Sequence, residues 1–137
     1  MDKVELDFLT ITRRMNQIAL PETDHVVGIA TGGIIPASLL AYRLGCSLSL
    51  IRINYRAENN NPQRPVPQVL EPYTVPAGIK RILLVDDVCV SGQTLDAAKK
   101  LLLDFEVVTF VLKGKADLVV FPEIGECVIW PWKMDRL

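Results

Sequence analysis

The sequence predicts a single α/β domain, built on a mostly parallel, twisted sheet that is flanked by helices. Short apolar runs, each followed by a turn and then a helical segment, recur along the 137 residues, and this order is typical of parallel strands joined by crossover helices. Half of the residues are hydrophobic and 23% are charged, which is the composition of a folded domain rather than of a disordered chain. The length fits one domain over residues 1–137.

Charge and cysteine usage exclude several classes of function. The formal net charge is −1, which argues against a surface that binds nucleic acid. Cys46, Cys89 and Cys127 are scattered and form no CxxC pair, so we interpret them as reduced thiols rather than as disulfide or zinc ligands. The sequence shows no secretion signal and no apolar run long enough to cross a bilayer. We therefore expect a cytoplasmic protein that binds neither nucleic acid nor a membrane.

The first part of the chain has alternating helical and strand-like periods. The predicted elements are a helix at 2–19, a strand at 25–30, a helix at about 36–44 and a strand at 47–54. Pro21 ends the first helix and Gly45 ends the second. The face of the second helix that carries Ala37, Leu40 and Leu44 is assigned to the core.

The segment from Tyr55 to Gly78 breaks this pattern. It carries five of the nine prolines and the run Asn59-Asn60-Asn61. A stretch of this length without regular structure inside a domain is typical of a lid or binding loop. We therefore predict a flexible lid over about 55–78.

Regular elements resume at Arg81. The predicted elements are strands at 81–85, 106–112, 118–121 and 127–130, and a helix at about 94–103. The strand RILLV is apolar after its first residue and leads directly into Asp86-Asp87. In parallel sheets ligands bind beyond the carboxyl ends of the strands, so this junction is the leading candidate for a site.

The loop after that strand has the residues of a phosphate cradle beside two carboxylates. Ser91, Gly92 and Thr94 place hydroxyls and a glycine at the start of a helix, where free backbone amides attract an anion. Asp86 and Asp87 would repel a phosphate unless they bind a sugar diol, a metal ion or a developing cation. The plain alternative is a capped helix with solvated aspartates, and the complete string disfavours it.

The string RILLVDDVCVSGQTL resembles the phosphoribosyl diphosphate (PRPP) motif of the type I phosphoribosyltransferases, in which an acidic pair follows four apolar residues and precedes Ser/Thr-Gly-x-Thr. The resemblance implies the type I phosphoribosyltransferase fold, with Asp86 and Asp87 as catalytic residues that face the ribose hydroxyls. It also implies that these two aspartates contact Mg²⁺ indirectly, through PRPP. The residues that it places around the 5-phosphate are Val90, Ser91, Gly92, Gln93 and Thr94.

A second string, VVGIATGGIIPASLLAYRLG, is similar to the pyrophosphate loop of the bacterial and archaeal xanthine-guanine-hypoxanthine branch of that family. The resemblance implies a pyrophosphate loop, often with a non-proline cis peptide, formed by Ala30, Thr31, Gly32 and Gly33. Thr31 departs from the family pattern, in which a basic side chain usually occupies this position, so weaker pyrophosphate binding is the expected consequence. Arg56 and Arg64 of the lid could supply part of that charge, or could be solvated loop residues.

The C-terminal string ECVIWPWKMD resembles the tail of the same branch, and the resemblance implies a small C-terminal hood over about 113–137 that recognises the base. The implied base-binding residues are Lys113, Cys127 and Val128, and the alternative for Lys113 is a surface salt bridge. Cys127 replaces the aromatic residue that stacks on the base, and Val90 replaces an aspartate that reaches N7, a role that valine lacks the atoms to perform. Trp130 could take the place of the missing aromatic or lie in the core, whereas Trp132 is assigned to the core or to a subunit contact.

Two hypotheses follow. The resemblance implies a purine-salvage enzyme that transfers 5-phosphoribosyl from PRPP to a 6-oxopurine base with Mg²⁺, forms nucleoside monophosphate and releases pyrophosphate, and works as a homodimer or homotetramer. The alternative is a non-catalytic sensor or regulator that keeps the PRPP or nucleotide site, and the departures at Thr31, Val90 and Cys127 favour it. Hydrolase chemistry is set aside, because His25 is the single histidine and no nucleophile elbow occurs. His25 is instead assigned to the edge of a strand.

Overall fold

The structure is a computed structural model, and it describes residues 3–54, 68–69 and 73–133. Three helices and eight strands follow one another along these residues. In chain order they are β1 (Lys3–Glu5), α1 (Phe8–Gln17), β2 (His25–Ala30), α2 (Ile34–Leu44), β3 (Ser47–Asn54), β4 (Gln68–Val69), β5 (Arg81–Cys89), α3 (Gln93–Leu101), β6 (Glu106–Gly114), β7 (Leu118–Val119) and β8 (Cys127–Ile129).

Six strands form the main sheet in the order β4-β3-β2-β5-β6-β7. Every neighbouring pair is parallel except β3 and β4, which run antiparallel. The mostly parallel sheet predicted from the sequence is therefore confirmed. β1 and β8 form a separate two-stranded parallel sheet, which joins the two ends of the described chain.

Helices cover both faces of the main sheet. Leu83 and Val85 of β5 pack on one side in a core that includes residues of α1 and α2, and Ile82 and Leu84 pack on the other side with residues of α3. All four side chains are almost completely buried. This explains why β5 reads as a continuous apolar run, since a strand covered on both faces has no polar side.

Two predicted boundaries are wrong for physical reasons. The helix predicted at 2–19 is a strand at residues 3–5 followed by α1, because β1 pairs with the distant β8. Asp7 caps α1, since its side chain accepts a hydrogen bond of 2.7 Å from the backbone amide of Thr10. β5 does not end at residue 85, because its pairing with β6 continues as far as Cys89.

Part of the predicted lid has regular structure. Within 55–78, Gln68–Val69 forms β4 against the end of β3. Tyr73 packs on the core beside α3, and its hydroxyl donates to the carbonyl of Leu101 at 2.8 Å. Arg56, Arg64 and most of the predicted lid lie outside the described residues, so the lid stays a prediction. In the described part of the chain, no helix has the length and apolar character needed to span a membrane.

His25 is fully buried, although the sequence placed it at a strand edge. It is the first residue of β2, a strand with neighbours on both sides. Its Nδ1 lies 2.6 Å from the Ser47 hydroxyl and its Nε2 lies 2.8 Å from the Ser49 hydroxyl. Because Ser49 donates to the carbonyl of Thr74, the network fits a neutral ring that donates from Nε2 and accepts at Nδ1.

The stability of the fold should depend on pH through His25. Burial lowers the pKa of this ring from its ordinary value of 6.5, so the unfolded chain binds a proton more readily than the folded protein does. The free energy of unfolding is therefore expected to fall as the pH drops below about 6.5. Urea denaturation of the protein and of a His25 variant between about pH 8 and pH 5 measures the part of this slope that His25 contributes, because the variant removes the single histidine. His25→Gln should flatten it, and an unchanged slope in that variant would contradict the assignment.

Candidate functional site

A cavity of about 380 Å³ opens where β2 and β5 separate at their carboxyl ends. These strands pair only from His25 and Ile82 to Gly28 and Val85. The chain leaves β2 toward β3 on one side and returns as β5 on the other, so the gap lies at the topological switch point of the sheet, where parallel α/β folds bind ligands.

The cavity collects most of the residues that the sequence predicted for a site. Those that line it are Asp86, Asp87, Val90, Ser91, Gly92, Thr94, Ala30, Gly32, Lys113, Cys127 and Val128. Gln93, Thr31 and Gly33 do not line it. Gln93 and Thr31 are exposed beside the cavity and Gly33 is buried behind it.

Asp86 and Asp87 extend β5 into this cavity. The Asp86 side chain is buried, with 7% of the residue exposed, and its Oδ1 accepts from the backbone amide of Asp87 at 2.8 Å. Oδ1 of Asp87 accepts in the same way from the amide of Val88 at 2.7 Å. Burial, followed by the neighbouring Asp87 carboxylate, raises the pKa of Asp86 well above its ordinary value of 3.8. The pair is therefore stabilised by any ligand that brings a cation or hydroxyl donors to it.

The loop after β5 is an exposed turn that becomes helical at Gln93. Gly92 has a φ of +87°, a conformation that favours glycine, and it precedes the first turn of α3. The Ser91 hydroxyl accepts from the amide of Gln93 at 3.3 Å. The cavity thus contains two side-chain hydroxyls, from Ser91 and Thr94, at the start of a helix, which is the arrangement that attracts an anion. Val90 contributes an apolar side chain, and 66% of the residue is exposed.

The turn after β2 packs tightly against the end of β5. The peptide bond between Ala30 and Thr31 is cis, as the resemblance implies for this loop. A Cβ on Gly33 would lie 2.6 Å from the carbonyl oxygen of Val85, and one on Gly32 would lie 2.5 Å from the carboxyl group of Asp87. The two glycines therefore allow the predicted pyrophosphate loop and the acidic pair to share one wall of the cavity.

The end of β6 and the C-terminal segment contribute further lining residues. Lys113 stands in register with Val88 of β5, and Cys127 is exposed at the start of β8. Trp130, whose role the sequence left open, belongs to the core with 2% exposure and also lines the cavity. Its ring stacks on that of Trp132, with centroids 5.7 Å apart and planes within 2° of parallel. Trp132 packs against the same core.

Sequence reasoning missed Lys133. Its Nζ lies 3.9 Å from Oδ2 of Asp87, and the residue lines the cavity. It directly follows the Pro-Trp pair of the C-terminal motif. That adjacency was a usable signal, but no local pattern shows that the tail folds back to the acidic pair.

Comparison with known proteins identifies relatives of this site and fold. The family model described as "Phosphoribosyl transferase domain" matches residues 6–120. Among solved structures, a purine phosphoribosyltransferase from Pyrococcus horikoshii Ot3 superposes with a TM-score of 0.70 at 26% identity. That match covers 97% of this chain and 95% of that chain.

Curated relatives carry names of different kinds. An orotate phosphoribosyltransferase of Sulfurisphaera tokodaii is 31% identical over 93 residues, which are 68% of this chain and 43% of the relative. The transcriptional regulator GfcR of Methanocella arvoryzae is 35% identical over 83 residues, which are 59% of this chain and 40% of the relative. This chain spans less than half the length of either relative.

Removing the charge of Asp86 should stabilise the ligand-free protein. Because its pKa is raised in the folded state, the unfolded chain ionises first, and stability falls as the pH rises from about 3.8 toward the raised pKa. Asp86→Asn avoids this loss and keeps an oxygen to accept from the Asp87 amide. We expect the free energy of unfolding at neutral pH to rise, because the variant has no carboxylate charge to bury at this position.

Chemical denaturation at pH 7 and at about pH 4 tests this expectation. The gain should be larger at pH 7, where more of the ionisation cost is present. Asp104→Asn, at an exposed position, is the matched control and should leave stability unchanged. Equal destabilisation of Asp86→Asn at both pH values would contradict the expectation.

Alanine at Gly33 should destabilise the protein more than alanine at Gly32. The new Cβ at residue 33 meets backbone oxygens of Val85 and Ile29, whereas at residue 32 it meets the end of the Asp87 side chain, which can rotate away. Overpacking against backbone costs about 1–3 kcal/mol. Thermal unfolding of both variants, with Gly125→Ala as a control at a position with open space, measures the order. A Gly33→Ala variant as stable as the control would contradict it.

Proposed function

This chain belongs to the phosphoribosyl transferase domain family, of the type I kind, and on that premise we propose that it transfers a 5-phosphoribosyl group from PRPP to a nucleobase and releases pyrophosphate. The base proposed is a 6-oxopurine. The product would then be a nucleoside monophosphate.

One observation carries this proposal. The acidic pair, the hydroxyl loop before α3 and the glycine turn after β2 line a single cavity, together with Lys113 and Val128. A phosphorylated sugar that carries a second anionic group at its opposite end matches this arrangement, in which an acidic pair accompanies two loops suited to anions. The 5-phosphate takes the loop at Ser91–Thr94, and the pyrophosphate takes the glycine turn. The ribose hydroxyls face Asp86 and Asp87, and the base lies against the C-terminal segment.

The proposed reaction displaces pyrophosphate from ribose C1 by a ring nitrogen of the base. Positive charge develops on C1 and the ring oxygen as the bond to pyrophosphate breaks. The two carboxylates stabilise that charge electrostatically, and their effect is large because Asp86 is shielded from water. The loop amides and hydroxyls hold the 5-phosphate in place, and this contact orients ribose C1 toward the attacking nitrogen of the base.

The residues fit a Mg²⁺ ion that arrives with PRPP. Among the described residues no group of three or more histidine, cysteine or acidic side chains could hold a metal ion alone. Two carboxylates would attract an ion whose own oxygen ligands come from phosphates and water. When bound, Mg²⁺ would neutralise charge on the departing pyrophosphate. Asp86 and Asp87 would hold it indirectly.

A regulator that binds PRPP or a nucleotide is the second candidate, and specific side chains favour it. Val90 is exposed at the cavity and Cys127 forms its rim. Neither offers the carboxylate or the aromatic face that the 6-oxopurine enzymes use. A relative named as a transcriptional regulator supports the same candidate. The sites for ribose and phosphate would be common to both functions.

We propose several further features for this enzyme. They are a single domain over residues 1–137, a lid within 55–78, a C-terminal hood within 113–137, a cytoplasmic location and assembly as a homodimer or homotetramer. A lid would exclude water, which otherwise competes with the base for C1.

Pyrophosphate release separates the two candidates. The protein is incubated with PRPP and Mg²⁺, and with guanine, xanthine, hypoxanthine, adenine, uracil or orotate in turn. We expect release with a 6-oxopurine, and a loss of roughly a hundredfold in kcat/KM for Asp87→Asn, because a charge that stabilises the transition state is removed. Asp104→Asn should retain full activity. Release with none of the bases, together with measurable PRPP binding, would decide for the regulator.

A further inference from the structure

The charges in the cavity do not balance those of its proposed ligand. PRPP is strongly anionic, and the cavity already contains the carboxyl groups of Asp86 and Asp87. Thr31, at the glycine turn, offers a neutral hydroxyl. Among the lining residues that the structure describes, the basic side chains are those of Lys113 and Lys133. These two ammonium groups are the side-chain cations that the described part of the cavity offers to an anion bound near the turn.

Lys133 lies on the side of the cavity where the glycine turn meets Asp87. Its Nζ is 3.9 Å from Oδ2 of Asp87. The same carboxyl group lies against Gly32, where a Cβ would approach it to 2.5 Å. Asp87 therefore has the glycine turn and the Lys133 ammonium as neighbours. Lys113 is placed differently, since it stands on β6 in register with Val88.

The contact with Asp87 leaves the ammonium available to a ligand. A separation of 3.9 Å is long for a charge-assisted hydrogen bond, which has an ordinary length of about 2.7–2.9 Å. The Lys133 side chain is also 44% exposed, and the residue lines the cavity, so its ammonium is accessible to a ligand bound there. The preceding residue, Trp132, stacks on the buried Trp130, which holds the backbone of the tail beside the cavity.

We propose that Lys133 binds the pyrophosphate group of PRPP, and that it supplies from the C-terminal tail the positive charge that the glycine turn lacks at Thr31. This inference rests on the proposed function, because it assigns one residue to that same site. Lys133 is then a binding residue for the leaving group. Before PRPP arrives, the same ammonium partly offsets the negative charge of Asp87.

The test removes the charge and then restores it at the turn. Lys133→Met keeps the length of the side chain and loses the ammonium. Thr31→Lys in the Lys133→Met background returns a charge to an exposed position of the turn. Lys100→Met, on the exposed surface of α3, is the matched control for loss of a lysine. Titration calorimetry with Mg²⁺ present measures the affinity of each protein for pyrophosphate, PRPP and ribose 5-phosphate.

We expect Lys133→Met to bind pyrophosphate and PRPP about tenfold more weakly, the order expected for a charge-assisted contact. Affinity for ribose 5-phosphate, which lacks the pyrophosphate, should be unchanged and shows that the variant is folded. Thr31→Lys should restore most of the lost affinity, and Lys100→Met should bind all three ligands normally.

Three results would overturn the inference: unchanged affinity of Lys133→Met for pyrophosphate, an equal loss of affinity for ribose 5-phosphate, or no recovery with Thr31→Lys. Failure of the proposed function looks different. In that case the unmodified protein itself binds neither PRPP nor ribose 5-phosphate, and the assignment of Lys133 fails with it.

Discussion

The placement of Asp86 is the constraint on which the rest of the site depends. Asp86 directly follows the apolar residues of β5, where a buried carboxyl group is costly to ionise, and burial raises its pKa accordingly. The surrounding groups reduce this cost only in part, through the backbone amide of Asp87, which donates to the Asp86 carboxyl group, and through the ammonium of Lys133. The fold thus keeps a destabilising group in the cavity, where a bound ligand can offset its cost.

The sheet determines why that position is open. β5 continues to pair with β6 as far as Cys89 and Gly114, but its pairing with β2 stops at Val85. Asp86 and Asp87 therefore have a neighbouring strand on one side and a gap on the other. The turn at Gly32 and Gly33 closes the bottom of this gap, and it approaches so closely that a Cβ at either residue would meet β5. Strand pairing thus fixes the position of the acidic pair. The absence of a Cβ at Gly32 and Gly33 allows the turn to lie this close to β5.

The sequence predicted the parts of this arrangement that depend on local order. The apolar run before Asp86, the turn at Gly92 and the strand at His25–Ala30 lie where they were expected, because each has a local periodicity or a special backbone residue. The sequence did not predict β1, because Lys3–Glu5 has no strand pattern of its own and pairs with a strand more than a hundred residues away. The approach of Lys133 to Asp87 was missed for the same reason, since it depends on how the tail folds back.

The two halves of the cavity differ in how freely their residues can be replaced. The half proposed for the sugar phosphate is built into the main sheet, so a change at Gly33 or Gly92 disturbs packing or backbone conformation. The half proposed for the base is carried by β8, which pairs with β1 outside the main sheet. Exposed Cys127 can therefore differ from an aromatic residue without cost to the core. A family can in this way keep its sugar-phosphate chemistry constant while its choice of base changes, and the names of a purine and an orotate phosphoribosyltransferase among the relatives fit that expectation.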